Sequence, residues 1–376
     1  MVDKIDYSQT QLIYSVFQNA VESGASDIHF DPTRDKFLVC FRIDGVLYTI
    51  DTFNKEIQNE IVSQIKVLAQ LDSIETRSPQ DGHFEWAFAG RTYNLRVSTF
   101  PTIYGEAAVL RILNREDNLM PLETLGFTAP QLEILSNLIH QPQGIILMTG
   151  PSGSGKTTLL YSILRALKKP ENNIVTVEDP VELQMENIRQ MQINEGIGLT
   201  FAKAMKAILR QDPDIVMVGE IRDADTIQMA MQAALSGRLV LSTFHTFSTP
   251  ALIIRLLEMG IPTSVVAHTL VGVVAVRLAR KICPSCKGKG CESCRNSGYA
   301  GRTGVFEVLP FDEQVKSHIL EGKSPSLLPK LFHEKGIESL EEVALKKILE
   351  GITTTEEIAR VLGFVSPPTS SKKSET

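Results

Sequence analysis

The sequence predicts an α/β protein: a parallel-sheet domain with helices on its faces, preceded by a small α+β domain. Three observations predict it. Past residue 128, short apolar runs at 145–148, 174–177, 215–218 and 239–241 alternate with stretches of helical period. Continuous apolar strands separated by helices belong to a parallel sheet buried on both faces. A glycine-rich stretch at 150–155 follows the first run directly and opens a helix at 157–167. Before residue 113 the pattern differs, because strand-like runs are joined by two-residue turns, the mark of antiparallel hairpins.

In order along the chain, residues 8–24 read as a helix with Leu12, Ile13, Val16, Phe17 and Ala20 on one face. Strands follow at 27–30 and 37–50, the latter folded at Asp44-Gly45. A helix is expected at 57–71, then strands from 83 to 113 with a turn at Ala89-Gly90. These make a small domain over 1–113. The charged stretch 114–127, with Pro121, suits a linker. The second domain runs from 128 to 365. Helices at 201–209 and 225–235 fill gaps between its strands, and a further helix at 264–281 is expected to lead into a cysteine cluster. Residues 312–363 read as short helices. The tail, 366–376, is rich in Pro, Ser and Lys and is expected to be disordered.

Composition narrows the function. The 376 residues are 43% hydrophobic and 22% charged, ordinary for a globular protein. A net charge of −6 and a pI near 5.8 argue against general nucleic-acid binding, so no direct nucleic-acid contact is expected. No stretch reaches the roughly 18 apolar residues that span a bilayer. The most apolar region, 265–276, is interrupted by His268, Thr269 and Gly272. The polar first eleven residues do not read as a signal peptide. A cytoplasmic location is expected, with membrane contact only through partners.

The motif that carries chemistry is GPSGSGKTT at 150–158. It fits G-x-x-x-x-G-K-[ST], with Gly150, Gly155, Lys156 and Thr157 at the fixed places and Pro151, Ser152, Gly153, Ser154 and Thr158 completing the loop. Such a loop turns successive N–H groups inward onto phosphate, and the following helix adds its positive end. Lys156 then faces the β- and γ-phosphates of ATP, and the Thr157 hydroxyl reaches Mg²⁺. Phosphoryl transfer also needs a carboxylate for the attacking water. Glu220 ends the apolar run 215–218 and is the expected catalytic acid; Gly219 stands where an Asp usually precedes it. Glu178 and Asp179 end another strand, and one of them is expected at the water or the metal. His245 follows the run 239–243 and is a candidate γ-phosphate contact.

Four of the five cysteines lie within twelve residues, Cys283, Cys286, Cys291 and Cys294. Two C-x₂-C pairs offer four thiolates to a closed tetrahedral structural Zn²⁺ site, expected as a hairpin over 281–303. Cys40, alone in a strand, reads as a small buried residue.

Together these motifs resemble the motor ATPases of type II secretion, type IV pilus assembly and DNA uptake (competence). The likeness is carried by ASDIHF at 25–30, RVSTFPT at 96–102, Gly105-Glu106, VLRI at 109–112, TVEDPVE at 176–182, LRQDPD at 209–214, GEIRD at 219–223 and STFHT at 242–246. The resemblance implies a PAS-like domain joined to a RecA-like ATPase domain, assembled as a homohexamer against a polytopic inner-membrane platform protein. Carried over by residue, Glu220 is the catalytic glutamate, Glu178 a second acid and His245 the His-box residue. Arg96, Arg111 and Arg210 are charge stabilisers at the phosphates. Assembly motors usually carry the cysteine pairs, with a much longer insertion between them than here, and retraction motors generally lack them, so the cluster favours the zinc-containing assembly branch. Many relatives have an extra N-terminal docking domain, which this sequence is expected to lack. Arg238, Phe247 and Val276 stand where the family often has His, Asn and Gln.

The expected function is therefore a hexameric ATPase motor that powers assembly of a type IV pilus or pseudopilus, or the related protein secretion or DNA uptake. The alternatives are a RecA-like DNA translocase or helicase, a pilus retraction motor, and a nucleotide-gated scaffold without turnover. Acidic charge and the lack of an aromatic–basic stripe weigh against the first, the cysteines against the second, and Lys156, Thr157 and Glu220 against the third.

Overall fold

The structure, a computed structural model, describes residues 7–113 and 119–363; the tail expected at 366–376 lies outside the described residues. The chain divides into two compact units, Met1–Asp117 and Asn118–Thr376.

The first unit comprises α1 (Tyr7–Glu22), β1 (Ala25–Pro32), β2 (Lys36–Ile43), β3 (Val46–Asn54), α2 (Gln58–Leu68), β4 (Gln80–Phe88), β5 (Arg91–Thr102) and β6 (Gly105–Leu113). The strands form one antiparallel sheet in the order β3-β2-β1-β6-β5-β4. Ile13, Val16, Phe17 and Ala20 recur at helical spacing on α1, Ile61, Val62 and Ile65 on α2, and both helices bury these stripes against one sheet face. That face contributes Ile28, Phe30, Leu95, Val97 and Leu110, at the period of two that a half-buried strand requires. The expected turns fall at Asp44-Gly45 and Ala89-Gly90. A further turn at Ile103-Tyr104 divides the expected 83–113 run and has no Asn-Gly or Asp-Gly to announce it.

The second unit begins with α3 (Ala129–Ile139), β7 (Gly144–Thr149), α4 (Lys156–Leu167), β8 (Ile174–Glu178), β9 (Arg189–Gln192), α5 (Phe201–Ile208), β10 (Ile215–Val218), α6 (Ala224–Leu235) and β11 (Leu239–Phe244). It continues with α7 (Thr249–Glu258), α8 (Thr263–Thr269), β12 (Leu270–Ile282), β13 (Tyr299–Pro310), α9 (Glu313–Leu320), α10 (Leu328–Glu334), α11 (Leu340–Leu349) and α12 (Thr355–Leu362). Its seven strands run in the order β13-β12-β7-β11-β10-β8-β9, all parallel except β13. Every residue of β7, β8, β10 and β11 is buried. Helices cover both faces through two separate apolar clusters, one beneath α4 and one beneath α5, α6 and α7.

Two expectations are corrected. The helix expected over 264–281 is the short α8 followed by the long strand β12. Residues 272–277 of that strand are all buried, so no polar–apolar alternation marks it as a strand. Its valines 271, 273, 274 and 276 favour a pleated surface, and pairing with β7 and β13 settles the matter. The stretch 114–127 is not a free linker throughout. Residues 114–118 lie outside the described residues, but Leu119, Leu122, Leu125 and Phe127 pack on the second unit's core. Phe127 stacks on Phe306 with ring centroids 3.7 Å apart, and Leu125 accepts from the Gly304 N–H at 2.8 Å.

Candidate active site

The C-terminal ends of β7, β8, β10 and β11 lie side by side, which is where an open parallel sheet places its chemistry. β7 runs into the loop 150–155 and then α4. Gly150, Gly153 and Gly155 all have positive φ, and two of them are also closely packed. A side chain at Gly150 would meet the Val276 carbonyl and the Ser154 hydroxyl, both at 2.6 Å; Gly155 caps α4 with φ +94° and lies against Leu278. The loop is thus seated on residues 276–278 of β12. Ser154 Oγ is buried without a hydrogen-bond partner, and Thr157 is exposed in the first turn of α4. An orphaned hydroxyl and a helix N-terminus suit the oxygens of a phosphate chain.

Lys156 is 7% exposed and donates to the carbonyls of Gly150 and Pro151 at 2.7 and 2.9 Å. Burial pulls its pKa down to about 8, with Glu220 acting in the opposite sense and Arg277 adding to the fall. Glu220 is placed by the β10–β11 seam. Ser242 Oγ donates to Val218 O at 2.7 Å, Thr243 Oγ1 to Gly219 O at 2.8 Å, and the Ile221 N–H to Thr243 O at 3.1 Å. One Glu220 oxygen accepts from Arg222, and the other lies 3.4 Å from His245 Nε2. The hydrogen bond from Arg222 to Glu220 holds that guanidinium's pKa above its usual value. Beside these groups opens a cavity of about 500 Å³ lined by Arg222, His245, Thr246 and Arg255.

Glu178 sits differently from Glu220. It is 3% exposed, and its carboxylate accepts from Tyr161, from Thr176 Oγ1 at 2.6 Å and from Gln190 Nε2 at 3.1 Å. Tyr161 Oη in turn accepts from the N–H groups of Glu182 and Leu183, each at 3.2 Å. Burial, then the charge of Glu178, raises the Tyr161 pKa well above its usual value. This network ties α4 to β8 and the segment after it. Asp179, the other acid at that strand end, is exposed. Arg210 is exposed just past α5 and donates to Lys206 O at 2.8 Å. Arg96 and Arg111 belong to the first unit, on neighbouring strands β5 and β6, where they face each other in register.

Arg222 and Arg277 were legible only as neighbours of other motifs. Arg277 is 6% exposed; it donates to Val276 O and to Phe247 O, both at 2.9 Å. With Thr149 Oγ1, which donates to Thr246 O at 3.2 Å, it fastens the segment after His245 to the phosphate loop. Burial lowers its basicity, and Glu307 and Glu341 oppose that. The signal available was one Arg inside the otherwise apolar stretch 270–279, since a charge there must be held by specific acceptors.

The four cysteines gather at the end of the β12–β13 hairpin. Their sulfurs all lie within 4.8 Å of one another, and Cys283 and Cys294 are buried. Four thiols gathered this closely fit a closed tetrahedral Zn²⁺ site. Cys40 lies on β2 of the first unit and is buried.

The family profile described as Type II/IV secretion system protein matches residues 4–360. The chain belongs to that family. It is 44% identical over 374 residues to the Type II secretion system protein E of Dickeya dadantii (strain 3937), covering 93% of this chain and 75% of that protein. It is 39% identical over 383 residues to the Type IV pilus assembly ATPase PilB of Thermus thermophilus, covering 94% of this chain and 43% of that one. Among solved structures, the Pilus Retraction Motor PilT with bound ADP superposes with TM-score 0.67 at 26% identity, covering 94% of this chain and 97% of that one. The protein is a secretion-family ATPase, and its reaction is hydrolysis of ATP to ADP and phosphate. No helix among the described residues is long and apolar enough to cross a membrane.

Proposed function

We propose that this ATPase works as a homohexamer that powers assembly of a pseudopilus or type IV pilus, acting through a polytopic inner-membrane platform protein. One observation carries the chemistry: Glu220 stands between His245 and Arg222, on the strand end beside the buried Lys156. In this reading the phosphate loop and Lys156 bind the ATP phosphates, and Thr157 holds Mg²⁺. Glu220 takes the proton of the attacking water, and His245 orients that carboxylate. Mg²⁺, when bound, supplies charge neutralisation at the phosphates. Arg96, Arg111 and Arg210 add positive charge as the transition state forms. The four-cysteine hairpin holds one structural Zn²⁺, which supports the assembly branch over the retraction branch, as do the names of the two relatives at 44% and 39% identity.

The test is direct. Purified protein hydrolyses ATP at a rate that single- or double-stranded DNA leaves unchanged, and a chromosomal Glu220→Gln replacement stops protein export or fibre display in the host. A DNA-stimulated rate would favour a translocase instead.

A further inference from the structure

The first unit's sheet carries one row of arginine, aspartate and histidine side chains across five strands. Register places Arg42 opposite Asp27, Asp27 opposite Arg111, Arg111 opposite Arg96, and Arg96 opposite His83. Cross-strand partners share a face. Leu95, Val97 and Leu110 flank Arg96 and Arg111 along their strands and are buried in the core, so the row stands on the other face. Three arginines lie in it, and like charges directly opposite one another repel. Asp27 is the row's one carboxylate.

Asp27 is 5% exposed. Arg111 Nε donates to its Oδ1 at 2.9 Å, Ser26 Oγ donates to its Oδ2 at 2.8 Å, and Arg42 Nε lies 3.8 Å from Oδ2. The grip on Arg111 is through Nε alone, and the arginine side chain remains 64% exposed. Its terminal nitrogens, the fork that takes two phosphate oxygens at once, make no hydrogen bond to another described residue. A buried acid that fixes the stem of a guanidinium and leaves its fork outward is suited to aiming it, because an arginine held in place loses less side-chain entropy when it meets its ligand.

We propose that Asp27 is a positioning residue that presets Arg111 for the phosphates of ATP, an inference that rests on the reading of Arg111 as a phosphate-stage cation. The carboxylate acts through the arginine and touches no substrate itself.

The experiment uses the purified full chain and measures kcat together with binding of a fluorescent ATP analogue. Arg111→Ala is made first and is expected to lower kcat. Asp27→Asn keeps the shape and removes the charge; kcat is expected to fall about five- to tenfold, with analogue affinity within about twofold. The double variant is expected to be no slower than Arg111→Ala alone, since the aspartate has nothing left to aim. Asp27→Glu retains the carboxylate one methylene further out and is expected to fall in between; it carries the same test if the Asn variant does not fold. Parental kcat in both Asp27 variants overturns the proposal, as does a double variant whose loss is the product of the two single losses, which marks a merely structural role. Arg111→Ala at the parental rate overturns it together with the arginine reading, and only that outcome touches the latter.

Discussion

At the scale of single residues, the site is a balance of buried charge around Lys156. Its ammonium is desolvated and raised again by Glu220, so it titrates at about 8. The charged form is the one that binds phosphate, and it is lost as pH rises through that value. ATP affinity is therefore expected to weaken from about pH 8 upward, read as the apparent Kd of a fluorescent analogue between pH 7 and 9.5. Replacing Glu220 by Gln removes the influence that raises Lys156, so the same loss begins at lower pH. Glu220→Gln also deletes the base; turnover is expected to fall at least about tenfold while binding at pH 7 survives. Lys156→Ala is expected to weaken binding itself. Parental turnover in the Glu220 variant would move the catalytic carboxylate elsewhere, with Asp179 the next acid to test.

At the scale of elements, β12 joins the phosphate loop, the cysteine hairpin and the C-terminal helices. Its residues 276–278 seat the loop, and Cys283 follows its end. If the four sulfurs hold Zn²⁺, metal binding is also folding free energy. One zinc per chain is expected by elemental analysis, and chelation is expected to raise amide exchange first over 281–303; four titratable thiols and no metal after chelator-free purification would remove the claim. On the other side, Glu357 of α12 is 1% exposed and receives Arg280 Nε and Nη2 at 2.9 and 2.7 Å, the Arg280 N–H at 2.9 Å, and Arg360. Burial opposes ionisation, but these donors outweigh it and hold the pKa down to about 2. A depressed carboxylate stabilises the fold above its unfolded value, and that stability is lost as pH falls through the folded one. The shift corresponds to about 3 kcal/mol at neutral pH. Glu357→Gln is expected to lower the melting temperature at pH 7 by several degrees, with the gap to the parent shrinking below about pH 4.5. A gap that stays constant down to pH 3 would show that the ion pairs are not its source.

At the scale of the whole molecule, the two units hold different parts of the proposed chemistry: Lys156 and Glu220 in the second, Arg96 and Arg111 in the first. An arginine added at the phosphates is worth about 10³-fold or more in phosphoryl transfer. Arg96→Ala and Arg111→Ala are expected to reduce kcat far more than ATP affinity. Specific activity is expected to rise with protein concentration as hexamers form, followed by light scattering with and without a non-hydrolysable ATP analogue. A protein that stays monomeric with the analogue and is fully active would refute the hexameric reading and leave the ATPase intact.

The sequence by itself determined the parts whose chemistry is local. The 150–158 loop, the cysteine spacing, the apolar strands and the turns at Asp44-Gly45 and Ala89-Gly90 each depend on residues close together in the chain. Glu220 was legible because an acid directly after a buried strand lands at the sheet's C-terminal edge. Tertiary structure decided what depends on distant partners. The run at 270–279, apolar but for Arg277, has no period to separate strand from helix until β7 and β13 pair with it. Two carboxylates at neighbouring strand ends look alike in sequence. Tyr161, Thr176 and Gln190 take Glu178 into a buried network, while Glu220 stays with His245 and Arg222. Asp27 and Arg111 are 84 residues apart, and only the β1–β6 register makes them a pair.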